Sequence, residues 1–510
     1  MKHKKLTTIA LPLLLLWGSL TAAAHDGAGP AGCRRGALRP QLAHSRGAAA
    51  AVRQPGGDYY KGERHQLVVL AAFADRAFQG NEAATLAYWE DVMNTPGYSE
   101  GYFRGSVHDY FYDQSYGQFD LKFDLQYVAL ADSLKKYRST DYDDENSQYL
   151  VDDVVDVLLT RQIDWSLYDW NGDGYINQLL IIYAGKGSSY GGFGGGYDAV
   201  WPHQWWLSDH LDQTTAAPND YREARTVAYG SRTYTIDSYC AVQEQSDSDI
   251  RSVFGTICHE YTHCFGFPDF YSDRKYLGNW NLMDSGNYND HGYCPPGYSA
   301  HERMLMGWLT PTELSGPATV TAMAPLSSSP EAYIVRNSSY TEEYYVVENR
   351  QRQGWDSSLP GSGLTVFHID FVPELWATIA EFPNSAREQH YVIIPASGES
   401  SANRSEGWGY PYADNDSLTD TSKPAATLWH AHADGSLLMS KPITQIAIDS
   451  EGLASFEFMK VTTGIAQLTA SGADSACRYY DLQGRQVSRP RRGQLYIVKA
   501  ADGTVRKRIY

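Results

Sequence analysis

The run His259-Glu260-Tyr261-Thr262-His263-Cys264-Phe265-Gly266-Phe267-Pro268-Asp269 constrains this chain more than any other stretch. On a helix, side chains four residues apart share one face about a turn apart, so His259 and His263 can offer their imidazoles to a single metal ion. Glu260 then sits beside the open coordination position. His-Glu-x-x-His alone arises in on the order of one chain in a hundred of this length, so the residues just beyond the second histidine carry the weight. Gly266 can adopt the positive φ that ends a helix, and the chain that turns back brings Asp269 within reach as a third ligand. Three protein ligands leave one position for water, the layout of a catalytic zinc site. The competing reading is a surface helix with two incidental histidines. Against it, Ile250, Val253, Phe254, Ile257, Tyr261 and Phe265 recur at helical spacing and predict a buried helix that holds the histidine face toward a cleft.

Other pieces extend the pattern: Ser106-Val107-His108-Asp109-Tyr110-Phe111 with Ser115-Tyr116-Gly117, the Asp-Gly-rich stretch near Asp169, Trp201-Pro202-His203, Gly307-Trp308-Leu309, Glu348-Asn349-Arg350 and Pro360-Gly361-Ser362-Gly363. Together they resemble the secreted bacterial metallopeptidases of the immune inhibitor A family over roughly residues 60 to 460. The resemblance implies a zinc endopeptidase acting on proteins or peptides, with His259, His263 and Asp269 as zinc ligands and Glu260 as the base. It also implies an α+β zincin catalytic domain of the metzincin type, in which Met283, within Asn279-Trp280-Asn281-Leu282-Met283-Asp284-Ser285-Gly286, lies in a tight turn beneath the metal. The other large zincin class takes its third ligand from a downstream helix, and Glu302 is placed for that role; the Gly266 turn and Met283 favour Asp269.

In the chemistry this predicts, zinc acidifies a water, Glu260 takes its proton and later returns one to the leaving amine. Tyr288, Tyr293 and Tyr298 are candidates for stabilising the oxyanion. His203 reads as a core or cleft-wall residue, since three ligands already serve the metal.

A length of 510 residues with 43% hydrophobic content allows two or three domains. The balance of 42 basic against 60 acidic residues, formally −18, argues against nucleic acid as a partner. Residues 1–24 read as a secretory signal: Lys2, Lys4 and Lys5, an apolar run from Leu6 to Trp17, then Ala22-Ala23-Ala24. No other run is long enough to span a membrane, so the expected location is secreted or attached at the outer surface, with no transmembrane segment in the mature chain. Residues 25–60, rich in Gly, Ala, Arg and Pro, read as a flexible leader or propeptide. Cys33 within it is a candidate latency ligand, the alternative being an incidental thiol. Of the six cysteines, Cys240 and Cys294 are the plausible disulfide partners.

The metallopeptidase domain is expected over 61–311, starting with a strand at Gln66–Phe73 and followed by helices near 81–94, 107–112 and 146–161 and strands at 119–127 and 179–183. Between the last helix and strand, Asp169, Asn171, Asp173, Tyr175 and Asn177 place oxygens at alternate positions around Gly174, as a Ca2+ loop does, but the twelfth position is Leu180 rather than Glu. A calcium site completed from elsewhere and an Asx-rich turn without an ion are both open.

After Pro311, short β-rich runs such as Tyr344–Val347, Leu364–Ile369 and Ala454–Phe458 predict a β-sandwich-like domain over 312–460. Residues 461–510 invert the charge balance, with nine Lys and Arg against three Asp, and resemble a C-terminal type IX secretion sorting domain with a β fold. That resemblance implies the secretion machinery as a partner. The alternative to a peptidase is an exported adhesive or binding protein with a structural or inactive metal site; an intact Glu260 and an open fourth position favour the enzyme.

Overall fold

A computed structural model describes residues 56–138, 146–188, 199–210, 222–246, 252–271, 277–376, 383–384, 389–460 and, with short gaps, 478–509. The signal reading, residues 25–55 of the leader reading, Cys33, Ile250 and Cys477 lie outside the described residues. The last residues of the expected leader are ordered instead: Asp58–Tyr60 form a 3-10 turn, Tyr60 is buried in the main core, and its carbonyl accepts from Trp308 Nε1 at 2.9 Å, so the folded unit starts before residue 61.

The first half alternates strands and helices: β1 (Gly62–Ala72), α1 (Glu82–Asn94), α2 (Val107–Gln114), β2 (Phe119–Ala129), α3 (Ser147–Leu158), β3 (Leu179–Lys186), β4 (His203–Trp206), the hairpin of β5 (Arg225–Tyr229) and β6 (Arg232–Ile236), β7 (Ser238–Gln245), α4 (Phe254–His263) and α5 (Ala300–Leu305). One sheet runs in the order β2-β1-β3-β7-β4. Its first four strands are parallel, and β4 closes one edge antiparallel to β7.

A parallel sheet is covered on both faces, which is why its central strands β1 and β3 read as apolar runs, while the edge strand β2 alternates. Val68, Leu70, Leu180, Ile182 and Val242 point to the face that carries α4, where they meet Ile257 and Tyr261. Leu67, Val69, Leu179, Ile181 and Ala241 point to the other face and meet Leu150, Val151 and Val154 of α3. Each aliphatic side chain buried in this way contributes about 1.5–3 kcal/mol. Local signals set the helix starts: Asn81 accepts from the Ala84 N–H at 2.9 Å, and Ser106 with Asp109 closes a capping box on α2.

The second half holds β8 (Thr312–Glu313), β9 (Ala318–Met323), β10 (Tyr333–Arg336), β11 (Glu343–Arg350), β12 (Gly363–Asp370), β13 (Tyr391–Ile393), β14 (Ile443–Ile448) and β15 (Ala454–Phe458). They form two sheets, β13-β12-β11-β10-β8 and β14-β15-β9. Val335, Tyr345, Val347 and Val366 pack between the sheets against Val320, Met323, Ile446 and Phe456. The alternate residues Ile334, Tyr344, Val346, Phe367 and Ile369 face the opposite way and belong to the same apolar cluster as Ile257, Phe267 and Phe270. The larger sheet therefore shares one core with the zinc-motif helix. Charge is buried there too: Arg350 clasps Asp356 through Nε at 2.7 Å and Nη2 at 2.6 Å, and reaches Glu348 at 3.1 Å and the Gly297 carbonyl at 3.0 Å.

A last antiparallel sheet, in the order β17-β16-β18-β19, comprises β16 (Arg478–Tyr480), β17 (Gln486–Val487), β18 (Leu495–Lys499) and β19 (Val505–Ile509). Among the described residues, no helix is long and apolar enough to cross a membrane.

The expected pairing of Cys240 with Cys294 is not made: neither sulfur is in a disulfide, and both residues are buried. Cys240 sits in β7, whereas the Cys294 sulfur lies against the Trp355 carbonyl at 3.3 Å and Ser357 Oγ at 3.4 Å. The two thiols are held by different neighbours.

Candidate active site

All ten residues of α4 are buried. Phe254, Ile257, Cys258 and Tyr261 belong to the apolar core; the buried polar residues of the helix are Thr256, His259, Glu260, Thr262 and His263, of which His259, Glu260 and His263 can ligate a metal. The helix backbone passes so close to the 286–292 turn that a Cβ on Gly255 would lie 2.0 Å from the Asn287 carbonyl oxygen. Beyond the helix, Gly266 has φ +99°, and the reversal it permits brings Asp269 back to the imidazoles.

The Asp269 Oδ1 atom lies 3.2 Å from His259 Nε2 and 3.5 Å from His263 Nε2. Ligands on a tetrahedral zinc with bonds of about 2.0–2.1 Å are separated by roughly 3.3 Å, so these spacings fit the edges of such a site. Each imidazole is held from behind. His259 Nδ1 donates to the Leu282 carbonyl at 2.9 Å, and His263 Nδ1 donates to the Phe267 carbonyl at 2.7 Å. These bonds make each Nδ1 the donor to the main chain and turn each Nε2 toward Asp269. Asp269 is buried, yet neither of its carboxylate oxygens has a well-formed hydrogen bond. A buried carboxylate in that condition is costly unless a cation meets it. On donor chemistry, spacing and orphaned oxygens, the residues fit zinc.

Among the described residues, ligand atoms of His259, Glu260 and His263 also lie within 4.8 Å of one another. Two carboxylates thus share the imidazole pair. Burial raises the Glu260 pKa, opposed by His259 and His263. Burial also disfavours charge on His259, but Asp269 and Glu260 outweigh it and lift His259 to about 9. For Asp269, burial is overcome by His263 and His259, which hold its carboxyl well below the usual range.

With this geometry in place, similarity to known proteins becomes informative. Residues 68–306 match the family profile described as "Immune inhibitor A peptidase M6, catalytic domain". The matched segment resembles a metallopeptidase domain. "Immune inhibitor A" of Bacillus thuringiensis subsp. alesti is 33% identical over 153 residues, covering 27% of this chain and 20% of that protein. "Pre-pro-metalloprotease PrtV" of Vibrio cholerae serotype O1 is 29% identical over 167 residues, covering 28% of this chain and 17% of that protein. The chain therefore aligns with about a fifth of the length of the curated relatives it matches.

The other residues singled out in the peptidase-like segment fall into different places. Met283 is fully buried, and its carbonyl accepts from the Phe270 N–H at 2.8 Å, next to Asp269. Glu302 does not join the imidazoles: its Oε2 accepts from the Ser299 N–H at 2.8 Å and from Asn281 Nδ2 at 3.0 Å. Tyr298 is buried in the core, with its hydroxyl 2.5 Å from Thr262 Oγ1. Tyr293 stacks edge-on to Phe103, and Tyr288 is 48% exposed.

His203, on the edge strand β4, is tied through Nδ1 to the Trp201 carbonyl at 2.6 Å and through Nε2 to the Tyr239 hydroxyl at 3.0 Å. In the Asp169–Asn177 loop, side-chain oxygens serve the loop's own backbone: Asp169 accepts from Gly174, Asp173 from Tyr175 and Asn177 from Trp170, at 3.0, 2.8 and 2.7 Å. Those bonds form an Asx-type turn, and Asp169 Oδ1 is left buried without a hydrogen bond.

Sequence reasoning missed the groups that orient the ligands. The Leu282 and Phe267 carbonyls carry no signal in a side-chain pattern. Asn281 could have been noticed only as a buried amide beside the Met283 turn.

Proposed function

We propose that the chain is a zinc-dependent endopeptidase that hydrolyses peptide bonds in proteins. The observation that carries this reading is the convergence of His259 Nε2, His263 Nε2 and Asp269 Oδ1, with each Nδ1 tied to a main-chain carbonyl and Glu260 alongside. His259, His263 and Asp269 would hold the ion. When bound, zinc supplies a Lewis acid that acidifies water and polarises a carbonyl.

The rest falls to the chain's own groups. Glu260 takes the proton of the attacking water and passes one to the departing amine. A carboxylate whose proton affinity is raised by burial suits both transfers. The apolar wall of Phe254, Ile257 and Tyr261 keeps bulk water away from the helix behind the ligands.

The sheet with its antiparallel edge β4 next to α4 supports a zincin of the metzincin type, with Met283 in the turn below the ligands. Domains at 61–311, 312–460 and 461–510 remain our reading of the chain's organisation. The same holds for export through an N-terminal signal and for a sorting role of the C-terminal sheet. A Ca2+ ion in the Asp169 loop has no support beyond its spacing.

Glu260→Gln is the direct test. Zinc should stay bound at one equivalent, while chelator-sensitive hydrolysis of a generic protein substrate falls by at least about 10²–10⁴-fold. Full activity in that variant would remove Glu260 from the mechanism. Hydrolysis indifferent to chelators would remove the metal.

A further inference from the structure

Asn281 stands apart from the metal ligands, yet its side chain joins two parts of their support. Its Oδ1 accepts the Met283 N–H at 2.8 Å, and its Nδ2 donates to Glu302 Oε2 at 3.0 Å. The Met283 N–H and the Leu282 carbonyl belong to one peptide unit, and that carbonyl is the acceptor for His259 Nδ1 at 2.9 Å. A continuous path therefore runs from the Glu302 carboxyl through the Asn281 amide and the 282–283 peptide to the imidazole of His259. The next carbonyl along, that of Met283, accepts the Phe270 N–H at 2.8 Å and so fixes the residue after Asp269.

We infer that Asn281 is a positioning residue for zinc, acting through the 282–283 peptide on His259 and, by way of Met283, on the Asp269 segment. Hydrogen bonds in series polarise one another. A peptide whose N–H is engaged offers a stronger carbonyl acceptor. That carbonyl in turn makes the imidazole a better donor to a metal, as a carboxylate does in direct contact with a ligating histidine. Here the carboxyl of Glu302 stands two amides away.

Its own position is fixed. Glu302 completes a capping box with Ser299 at the start of α5, and Ser299 Oγ is 2.6 Å from the Tyr391 hydroxyl of β13. Asn281 and Glu302 are both essentially solvent-free, so water does not replace a lost partner cheaply.

The inference rests on the zinc reading above, and its test separates the two. Zinc affinity of the full chain is measured by competition with a chromophoric chelator, together with the rise in thermal midpoint on zinc addition, kcat and KM. The variants are Asn281→Ala, Asn281→Asp and, as a comparison, Asn349→Ala. Asn349 is equally buried, and its Nδ2 bonds the Met323 and Gly452 carbonyls at 2.8 Å each, far along the chain from the motif.

Asn281→Ala is expected to weaken zinc binding by about 10–100-fold, shrink the zinc-induced rise in midpoint and lower kcat more than it changes KM. Asn281→Asp keeps the acceptor for Met283 and so keeps the turn, but sets a carboxylate against Glu302; it should fold and also bind zinc more weakly. Asn349→Ala should lower the midpoint of metal-free and zinc-loaded protein alike, with affinity unchanged. Wild-type zinc affinity in folded Asn281→Asp, or an equal loss in Asn349→Ala, overturns the positioning role. A wild-type chain that binds no zinc overturns the reading beneath it.

Discussion

Asp269 and Asp370 each stand between two imidazoles, and the contrast between them shows what a cation site requires. At Asp370, Oδ2 is 3.0 Å from His390 Nδ1 and 3.1 Å from His430 Nε2, and both contacts are good hydrogen bonds. Nearby, His368 stacks on Trp429 with ring centroids 3.5 Å apart and gives its Nε2 to Glu343 at 2.7 Å. In that arrangement one ring nitrogen of each of His390, His430 and His368 is directed at a carboxylate of the cluster. At Asp269, the Nδ1 atoms are spent on main-chain carbonyls, and the Nε2 atoms face a carboxylate with no well-formed hydrogen bond. An Asp between two His can offer a candidate cation site or a hydrogen-bonded polar cluster, depending on which ring nitrogens face the carboxylate.

Paired substitutions press this contrast hardest. Asp269→Ala should cost more than about a hundredfold in zinc affinity, since it removes a ligand rather than an outer partner. Asp370→Ala should leave zinc affinity within about twofold, because neither Asp370 nor the imidazoles it holds, those of His390 and His430, belong to the proposed ligand set. Equal losses in the two variants, read by chelator competition, would erase the distinction.

A smaller effect concerns stability. Asp370→Ala strands the donors of His390 and His430, which costs about 1–3 kcal/mol, toward the low end because the His430 side chain is 41% exposed and can rehydrate. The same contacts set a pH dependence. Burial alone would raise the Asp370 pKa, but hydrogen bonds from His390 and His430 outweigh it and hold it below the ordinary value.

A carboxyl depressed in the folded state stabilises above its unfolded pKa of about 3.9 and loses that contribution as pH falls through the folded value. Urea midpoints between pH 6 and 3 should therefore fall more steeply for wild type than for Asp370→Asn at the acid end. Parallel curves would mean that the contacts of Asp370 are energetically silent.

The candidate metal-site motif reads directly from the sequence because it is local. His259, Glu260 and His263 share a turn of helix, and Gly266 has one conformational reason to be where it is. The central strands β1 and β3 read as apolar runs because both their faces are buried, whereas the edge strand β2 reads by the alternation of Phe119, Leu121, Phe123 and Leu125.

Residues brought in from afar were not legible. Glu302 looked like a rival ligand by spacing along the chain, but the capping box with Ser299 and the contact to Asn281 depend on tertiary folding. Tyr298 was a candidate for the cleft until Thr262 claimed its hydroxyl in the core. The pairing of Cys240 with Cys294 rested on elimination alone. In β11, Glu348 and Arg350 interrupt an apolar strand. That interruption was a sign of buried charge, although its partner Asp356 and the shared core with α4 could be seen only in three dimensions.

Diffraction from zinc-soaked crystals, recorded on both sides of the zinc absorption edge, tests the central claim most directly. The expected result is one anomalous peak within bonding distance of His259 Nε2, His263 Nε2 and an Asp269 oxygen, with Glu260 outside bonding distance. A peak at Asp370 with none at Asp269, or an ion whose every ligand comes from the chain itself, would contradict it.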